Sequence, residues 1–204
     1  GPNGAGKSTL FDLVTGFEKP DSGDVLFLGK SILGLRPDQI NRLGIGRTFQ
    51  KLKPFPQMTV EENVMVGLMQ HVSQMNEARE EAHRYLEFVG LIDKMSVYAH
   101  GLSTGQRKRL ELARAMASRP KLLLLDEVTG GVDQKTVPEL VSLVERLRTE
   151  GTTVVLIEHN MKVLMSLADH VVALHLGQQI AYGRPQEIQA HKQVIESYLG
   201  ASYA

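Results

Sequence analysis

Gly1-Pro2-Asn3-Gly4-Ala5-Gly6-Lys7-Ser8-Thr9 opens the chain and decides its fold class. The spacing Gly1-x-x-x-x-Gly6-Lys7-Ser8 is the Walker A pattern of a phosphate-binding loop. The glycines let backbone N–H groups converge on phosphate oxygens, so Gly1, Asn3, Gly4, Ala5, Gly6, Lys7, Ser8 and Thr9 are the candidate nucleotide-binding residues. Lys7 adds a point charge for the β- and γ-phosphates and Ser8 offers a hydroxyl to Mg²⁺. The helix that follows points its positive end at the anion. A chance glycine-rich turn before a helix is the bland alternative, and so full a match disfavours it. A buried strand is expected to lead into such a loop, and none precedes Gly1. With no initiator Met either, the chain reads as a fragment whose N-terminal strands are missing.

Composition narrows the rest. The 204 residues suffice for one large domain with a real core. Hydrophobic residues make up 42% and charged residues 23%, ordinary for a globular protein outside the membrane. Lys plus Arg equals Asp plus Glu at 23 each, so no bulk positive field points to nucleic acid as a partner. The absence of cysteine excludes disulfides, thiolate metal sites and cysteine nucleophiles. The longest apolar runs fall far short of the ~20 residues of a membrane-spanning helix.

Helices and apolar strands alternate along the chain. Lys7 to Thr15 reads as a helix with Leu10, Leu13 and Val14 on one face and Gly16 at its end. Val25–Leu28 and Ile45 to Gln50 read as strands. Asn76 to Val89 is an amphipathic helix turning Ala78, Ala82, Tyr85, Leu86 and Val89 inward. A further helix begins at Gly105 or Gln106 and runs to about Ala117, and Pro120 introduces Lys121–Leu125 as a fully buried parallel strand. Helix Val137–Thr149 feeds strand Thr152–Ile157. A short helix then leads to Val171–Leu176, a turn at Gly177 and strand Gln178–Tyr182. The alternation predicts an α/β fold with a mostly parallel sheet and flanking helices.

Two carboxylates, Asp126 and Glu127, close the apolar run Leu122–Leu125, at the strand end where open α/β sheets bind ligands. As a Walker B segment this places Asp126 toward Mg²⁺ and Glu127 toward the attacking water. Glu158-His159 ends the next strand in the same way, and a histidine there can reach a γ-phosphate, although a lone one is more often structural. Leu102-Ser103-Thr104-Gly105-Gln106 sets a serine, a bare glycine and a helix N-terminus together as anion donors, with Asp126 twenty residues after Gln106. The following Arg107-Lys108-Arg109 reads as a solvated helix face.

This order of motifs resembles the ABC transporter ATPases over essentially the whole chain, as a P-loop NTPase of the ABC ATPase type. Leu102–Gln106 resembles their signature motif, usually Leu-Ser-Gly-Gly-Gln. The resemblance implies that Ser103, Gly105 and Gln106 act on ATP held by a partner subunit, a second copy or a paralogue. Gln50 in Thr48-Phe49-Gln50 matches the glutamine loop, completing with Ser8 and Asp126 the Mg²⁺ environment. Asp133 matches the D-loop aspartate and His159 the switch histidine, with Glu127, His159 and Gln50 the catalytic set. The implied domain is a single nucleotide-binding domain over 1–204, with a small α-helical subdomain at about 55–105 that docks on the permease. The implied place is the cytoplasmic face of the membrane, peripheral to it. Arg42–Gln50, Met58–Asn63, Ile157–Met161 and the tail Ile180–Gly183 through Val194–Gly200 are similar to branched-chain amino acid importer ATPases. Urea or amide importers and lipopolysaccharide exporters share much of this wording. The implied function is ATP hydrolysis powering solute import, with a solute-binding protein as an indirect partner.

Departures from the family pattern leave the charged groups in place. Thr104 stands where the signature has glycine, Val128 where a proline follows the glutamate, and Gly130-Gly131 loosens the D-loop. A non-catalytic ATP-binding module remains an alternative, which Glu127 and His159 disfavour. Non-transport ABC ATPases of DNA repair would carry a long heptad insertion between Gln50 and Leu102, which is absent. In the family the missing N-terminus carries an aromatic that stacks on adenine, so weak ATP binding and an exposed sheet position are expected.

Overall fold

The computed structural model describes residues 1–50 and 54–199. Gly200, the last residue of the importer-like tail, lies outside them. The chain divides into two compact units, one of residues 1–34 with 159–204 and one of residues 35–158.

In chain order the elements are α1 (Lys7–Val14), β1 (Leu26–Phe27), β2 (Lys30–Ser31), α2 (Pro37–Leu43), β3 (Ile45–Arg47), α3 (Val60–Leu68) and α4 (Met75–Phe88). They continue with α5 (Thr104–Ala117), β4 (Leu122–Asp126), α6 (Val137–Thr149), β5 (Thr153–Ile157), α7 (Met161–Leu167), β6 (Val171–His175) and β7 (Gln178–Gly183). Helices α8 (Pro185–Ala190) and α9 (Lys192–Leu199) complete the chain.

The central unit is built on a parallel sheet in the order β3-β4-β5. Ile45 pairs with Leu122, and Leu122 with Thr153, with no slip along either ladder. Strand β4 therefore has a neighbour on each side, which explains its unbroken leucine run: Leu123, Leu124 and Leu125 are all buried. Burial of each such side chain favours folding by about 1.5–3 kcal/mol. Pro37 starts α2, with φ already suited to a first helical turn, and Gly44 at φ 106 ends it in the left-handed region. Helix α3 starts on a reciprocal cap: Glu62 N donates to Thr59 Oγ1 and Thr59 N donates to Glu62 Oε2. Helices α3, α4 and α5 pack on one another through Val64, Leu68, Ala82, Leu86 and Leu110, all with essentially no exposure.

The other unit holds two antiparallel pairs, β1 with β2 and β6 with β7. The β6–β7 hairpin turns at Leu176 and Gly177, both at positive φ. Val171, Ala173 and Ala181 from the hairpin form a small core with Ile188 of α8 and Val194 of α9. The reading of α1 needs correction here. Its buried side chains are Phe11 and, one turn on, Thr15 as the C-cap, while Leu10 is 46% exposed. Residues four apart share a helix face, so Phe11 and Thr15 set the buried stripe rather than Leu10.

Candidate active site

One candidate site, in the unit of residues 1–34 and 159–204, is the Gly1–Thr9 loop. Gly4 and Gly6 have φ of 76 and 94, conformations that a residue with a Cβ adopts with difficulty. Gly6 is the N-cap of α1 and offers no side chain, so no side chain caps the first amides of the helix there. Lys7 arches back over the loop, its Nζ donating to Gly1 O and Pro2 O, each at 2.8 Å. Gly177 N donates to Ala5 O at 3.1 Å and fastens the loop to the β6–β7 turn. Asn3, Gly4, Ser8 and Thr9 are exposed and Ala5 is buried. A glycine-rich backbone, an ammonium and a helix N-terminus are the elements that a phosphate cradle uses.

A separate cluster, in the unit of residues 35–158, lies at the C-terminal end of β4. Asp126 is buried, with Arg47 Nη2 at 3.7 Å from its Oδ2, and its N–H donates to Thr48 Oγ1 at 3.1 Å. Glu127 sits at φ 53. Its N–H donates to Ile157 O at 2.9 Å, prolonging the β4–β5 ladder by one bond, and its carbonyl accepts from Gly130 N at 3.0 Å. Gln50 Nε2 donates to Glu127 Oε1 at 3.0 Å. So Gln50, 77 residues before Glu127, is brought to the adjacent carboxylates Asp126 and Glu127. Asp126 and Gln50 offer oxygen donors here, the hard ligand type that Mg²⁺ prefers.

Three neighbours of this cluster carry no motif. Lys108 Nζ donates to Glu127 O at 2.7 Å. Glu111 Oε1 accepts from Phe49 N at 2.8 Å, and burial pushes its carboxyl above the usual carboxylate range against the pull of that bond. Glu158 Oε1 accepts from Thr129 N at 2.8 Å and from Thr129 Oγ1 at 2.9 Å. These findings correct the solvated-face reading of Arg107–Arg109. Lys108 is buried, Arg107 Nη2 donates to His100 O, and Arg109 pairs with Glu139. The available signal was spacing, because Lys108, Glu111, Leu112 and Ala115 follow one helical stripe, and that stripe is buried. A cleft of about 510 Å³ opens beside the cluster, lined among others by Arg42, Arg47, Phe49, Gln70, Glu111 and Arg114.

Ser103 is the N-cap of α5 and closes a reciprocal cap with Gln106: Gln106 N donates to Ser103 Oγ at 3.3 Å and Ser103 N to Gln106 Oε1 at 3.0 Å. A Cβ on Gly105 would stand 2.8 Å from Thr136 Cγ2. Thr136 is itself held by Asp133, whose carboxylate accepts from Thr136 Oγ1 and from the Thr136 and Lys135 amides. The Thr136 hydroxyl, and then the backbone amides, hold the Asp133 carboxyl below the usual range. The signature and the D-loop aspartate are thus joined through one threonine. Thr104, the departure from glycine, is exposed at the first turn of α5. His159 is exposed and directly follows buried Glu158, before Asn160 caps α7 by accepting from Lys162 N and Val163 N.

Residues 1–130 match the family model described as ABC transporter, and residues 178–204 match that of the branched-chain amino acid ATP-binding cassette transporter. The chain belongs to the ABC transporter family. This cassette is 40% identical, over 98% of its length and 85% of the relative's, to the high-affinity branched-chain amino acid transport ATP-binding protein BraF of Pseudomonas aeruginosa. It is 38% identical to LivG of Escherichia coli, a protein of the same description, with the same two coverages. Its fold matches the ADP conformation of MJ1267, an ATP-binding cassette of an ABC transporter, with a TM-score of 0.86 and 33% identity over 98% of this chain and 85% of that one. The dimeric post-hydrolysis structure of MJ0796 bound to ADP and Pi matches with a TM-score of 0.81 and 28% identity, over 90% and 82% of the two chains. Among the described residues of the cassette no helix is long and apolar enough to cross a membrane.

Proposed function

We propose that the cassette hydrolyses ATP to power import of branched-chain amino acids. One observation carries the hydrolytic part: the Glu127 carboxylate stands at the end of β4, held by Gln50 Nε2 at 3.0 Å. The substrate class rests on the match of residues 178–204 and on what BraF and LivG transport.

Each residue has a role in this reading. The amides of Gly4, Ala5 and Gly6, with Lys7, Ser8 and Thr9, take the phosphate oxygens, while Gly1 and Asn3 shape the loop. Bound Mg²⁺ would neutralise phosphate charge, held by Ser8, Asp126 and Gln50. Glu127 orients a water and accepts its proton as its oxygen bonds to the γ-phosphorus. The bond to the bridging oxygen breaks, and ADP and phosphate leave. His159 and Gln50 complete the γ-phosphate surroundings. Ser103, Gly105, Gln106 and Asp133 serve the ATP of a second ATP-binding subunit, a copy or a paralogue. Residues 1–204 act as one nucleotide-binding domain, in which the helical subdomain at about 55–105 and the cleft beside Phe49 receive the permease. The cassette then sits peripherally on the cytoplasmic face, with a solute-binding protein as its indirect partner.

Glu127→Gln keeps the hydrogen-bonding shape and removes the base, so ATP turnover should fall on the order of 10²–10³-fold. Uptake of radiolabelled leucine by cells that depend on this cassette should fall with it. Unchanged turnover would refute the role of Glu127; lost turnover with unchanged leucine uptake would refute the substrate class alone.

A further inference from the structure

Glu127 occupies a left-handed backbone conformation at φ 53, uncommon for any residue but glycine and held only where surroundings over-determine it. Two backbone bonds fix the peptide units beside it, from Glu127 N to Ile157 O and from Gly130 N to Glu127 O. The other bond to that carbonyl comes from a side chain, the Lys108 ammonium at 2.7 Å. Lys108 is 6% exposed. A buried ammonium is costly unless its donors are used, and a charge-assisted bond to a carbonyl is among the stronger ones available. Val128 sharpens the point. A proline there would restrict the backbone of the preceding residue, and valine leaves Glu127 more conformational freedom.

Glu111 stands one turn further along α5. It accepts from Phe49 N at 2.8 Å and so fixes the Thr48–Phe49 peptide, one residue before Gln50, whose side chain reaches Glu127 Oε1 at 3.0 Å. One stripe of α5 therefore holds the carbonyl of Glu127 through Lys108 and the loop that grips its carboxylate through Glu111.

From this geometry we infer that Lys108 is a positioning residue for hydrolysis: it holds the Glu127 backbone in the left-handed conformation that aims the carboxylate at Gln50 and water. The inference rests on Glu127 being the base. Lys108 acts through the Glu127 backbone, and so on turnover rather than on ATP affinity.

The test is steady-state ATP hydrolysis by the purified chain, with nucleotide binding and thermal melting measured alongside, for Lys108→Met, Lys108→Gln, Lys108→Arg and Glu127→Gln. Loss of the ammonium misplaces the base, and a displacement of that kind costs about 10- to 100-fold in rate. Lys108→Met is expected to lower kcat by that factor with KM for ATP within about twofold of the parent. Lys108→Arg should regain most of the rate, and Lys108→Gln, which keeps a donor and loses the charge, should fall between them. Should Lys108→Met unfold, the glutamine and arginine variants carry the same comparison. Parental kcat in Lys108→Met or Lys108→Gln, beside an inactive Glu127→Gln, overturns the inference and leaves the role of Glu127 standing. Equal losses of rate and ATP affinity in the arginine and glutamine variants also overturn it, since Lys108 would then be structural. Parental turnover in Glu127→Gln refutes the base itself, and the inference with it.

Discussion

Glu111 shows how one side chain can strain its own environment in order to hold a loop. Its carboxylate is buried beside Asp126, and burial raises its pKa more than the Phe49 amide, Lys108 and Arg114 lower it. A carboxyl with a raised folded pKa binds its proton more tightly when folded than when unfolded. Stability from this group is therefore highest below the unfolded value near 4.5 and declines as pH rises toward the folded value. Glu111→Gln keeps an oxygen acceptor for Phe49 N and removes the titration. Thermal melts from pH 4 to pH 8 should show the variant losing less stability across the range than the parent, with a midpoint at pH 8 higher by about 2 °C. A steeper decline in the variant would show that the ionised form is favoured after all. This residue belongs to no motif, so sequence spacing offered only the unusual sight of charges on an apolar stripe.

At the scale of elements, the start of α5 is where local and tertiary demands meet. Ser103-x-x-Gln106 forms a reciprocal cap whatever else the signature does, and loss of such a cap costs ~1 kcal/mol. Gly105 answers to a different constraint, the methyl of Thr136 lying 2.8 Å from any added Cβ. Gly105→Ala should displace the first turn of α5 and lower the melting midpoint by about 2–4 °C, the shift that ~1 kcal/mol produces in a chain of this size. Thr136→Ser removes the methyl and keeps the hydroxyl that donates to Asp133, so adding it should restore most of the loss. A double variant no more stable than Gly105→Ala would place the origin of the glycine elsewhere. The rescue is a coupling between two positions in contact, which single substitutions would not reveal.

For the whole molecule, the proposal that signature and phosphate loop serve different subunits makes oligomeric state the informative measurement. Light scattering on Glu127→Gln should report a monomer alone and a dimer with ATP and Mg²⁺, because blocked hydrolysis leaves the closed form no exit. A monomer under both conditions would count against assembly from this chain alone. Much of the fold was legible beforehand. The leucine run of β4 predicts a strand between two parallel neighbours, which it has, and the glycines of residues 1–6 predict a tight loop, in which Gly4 and Gly6 sit at φ values that glycine alone adopts readily. Those are local facts: apolar periodicity, glycine freedom and capping residues act over a few positions, so the sequence by itself determined the class of fold, the glycine-rich loop and the carboxylate pair at the end of β4. Only the tertiary structure decided that Lys108 and Glu111 face inward on α5, that Glu127 adopts a left-handed backbone, and that Gly105 and Asp133 meet at Thr136. These depend on which distant backbone a side chain meets after packing, and no short window of sequence contains that neighbour.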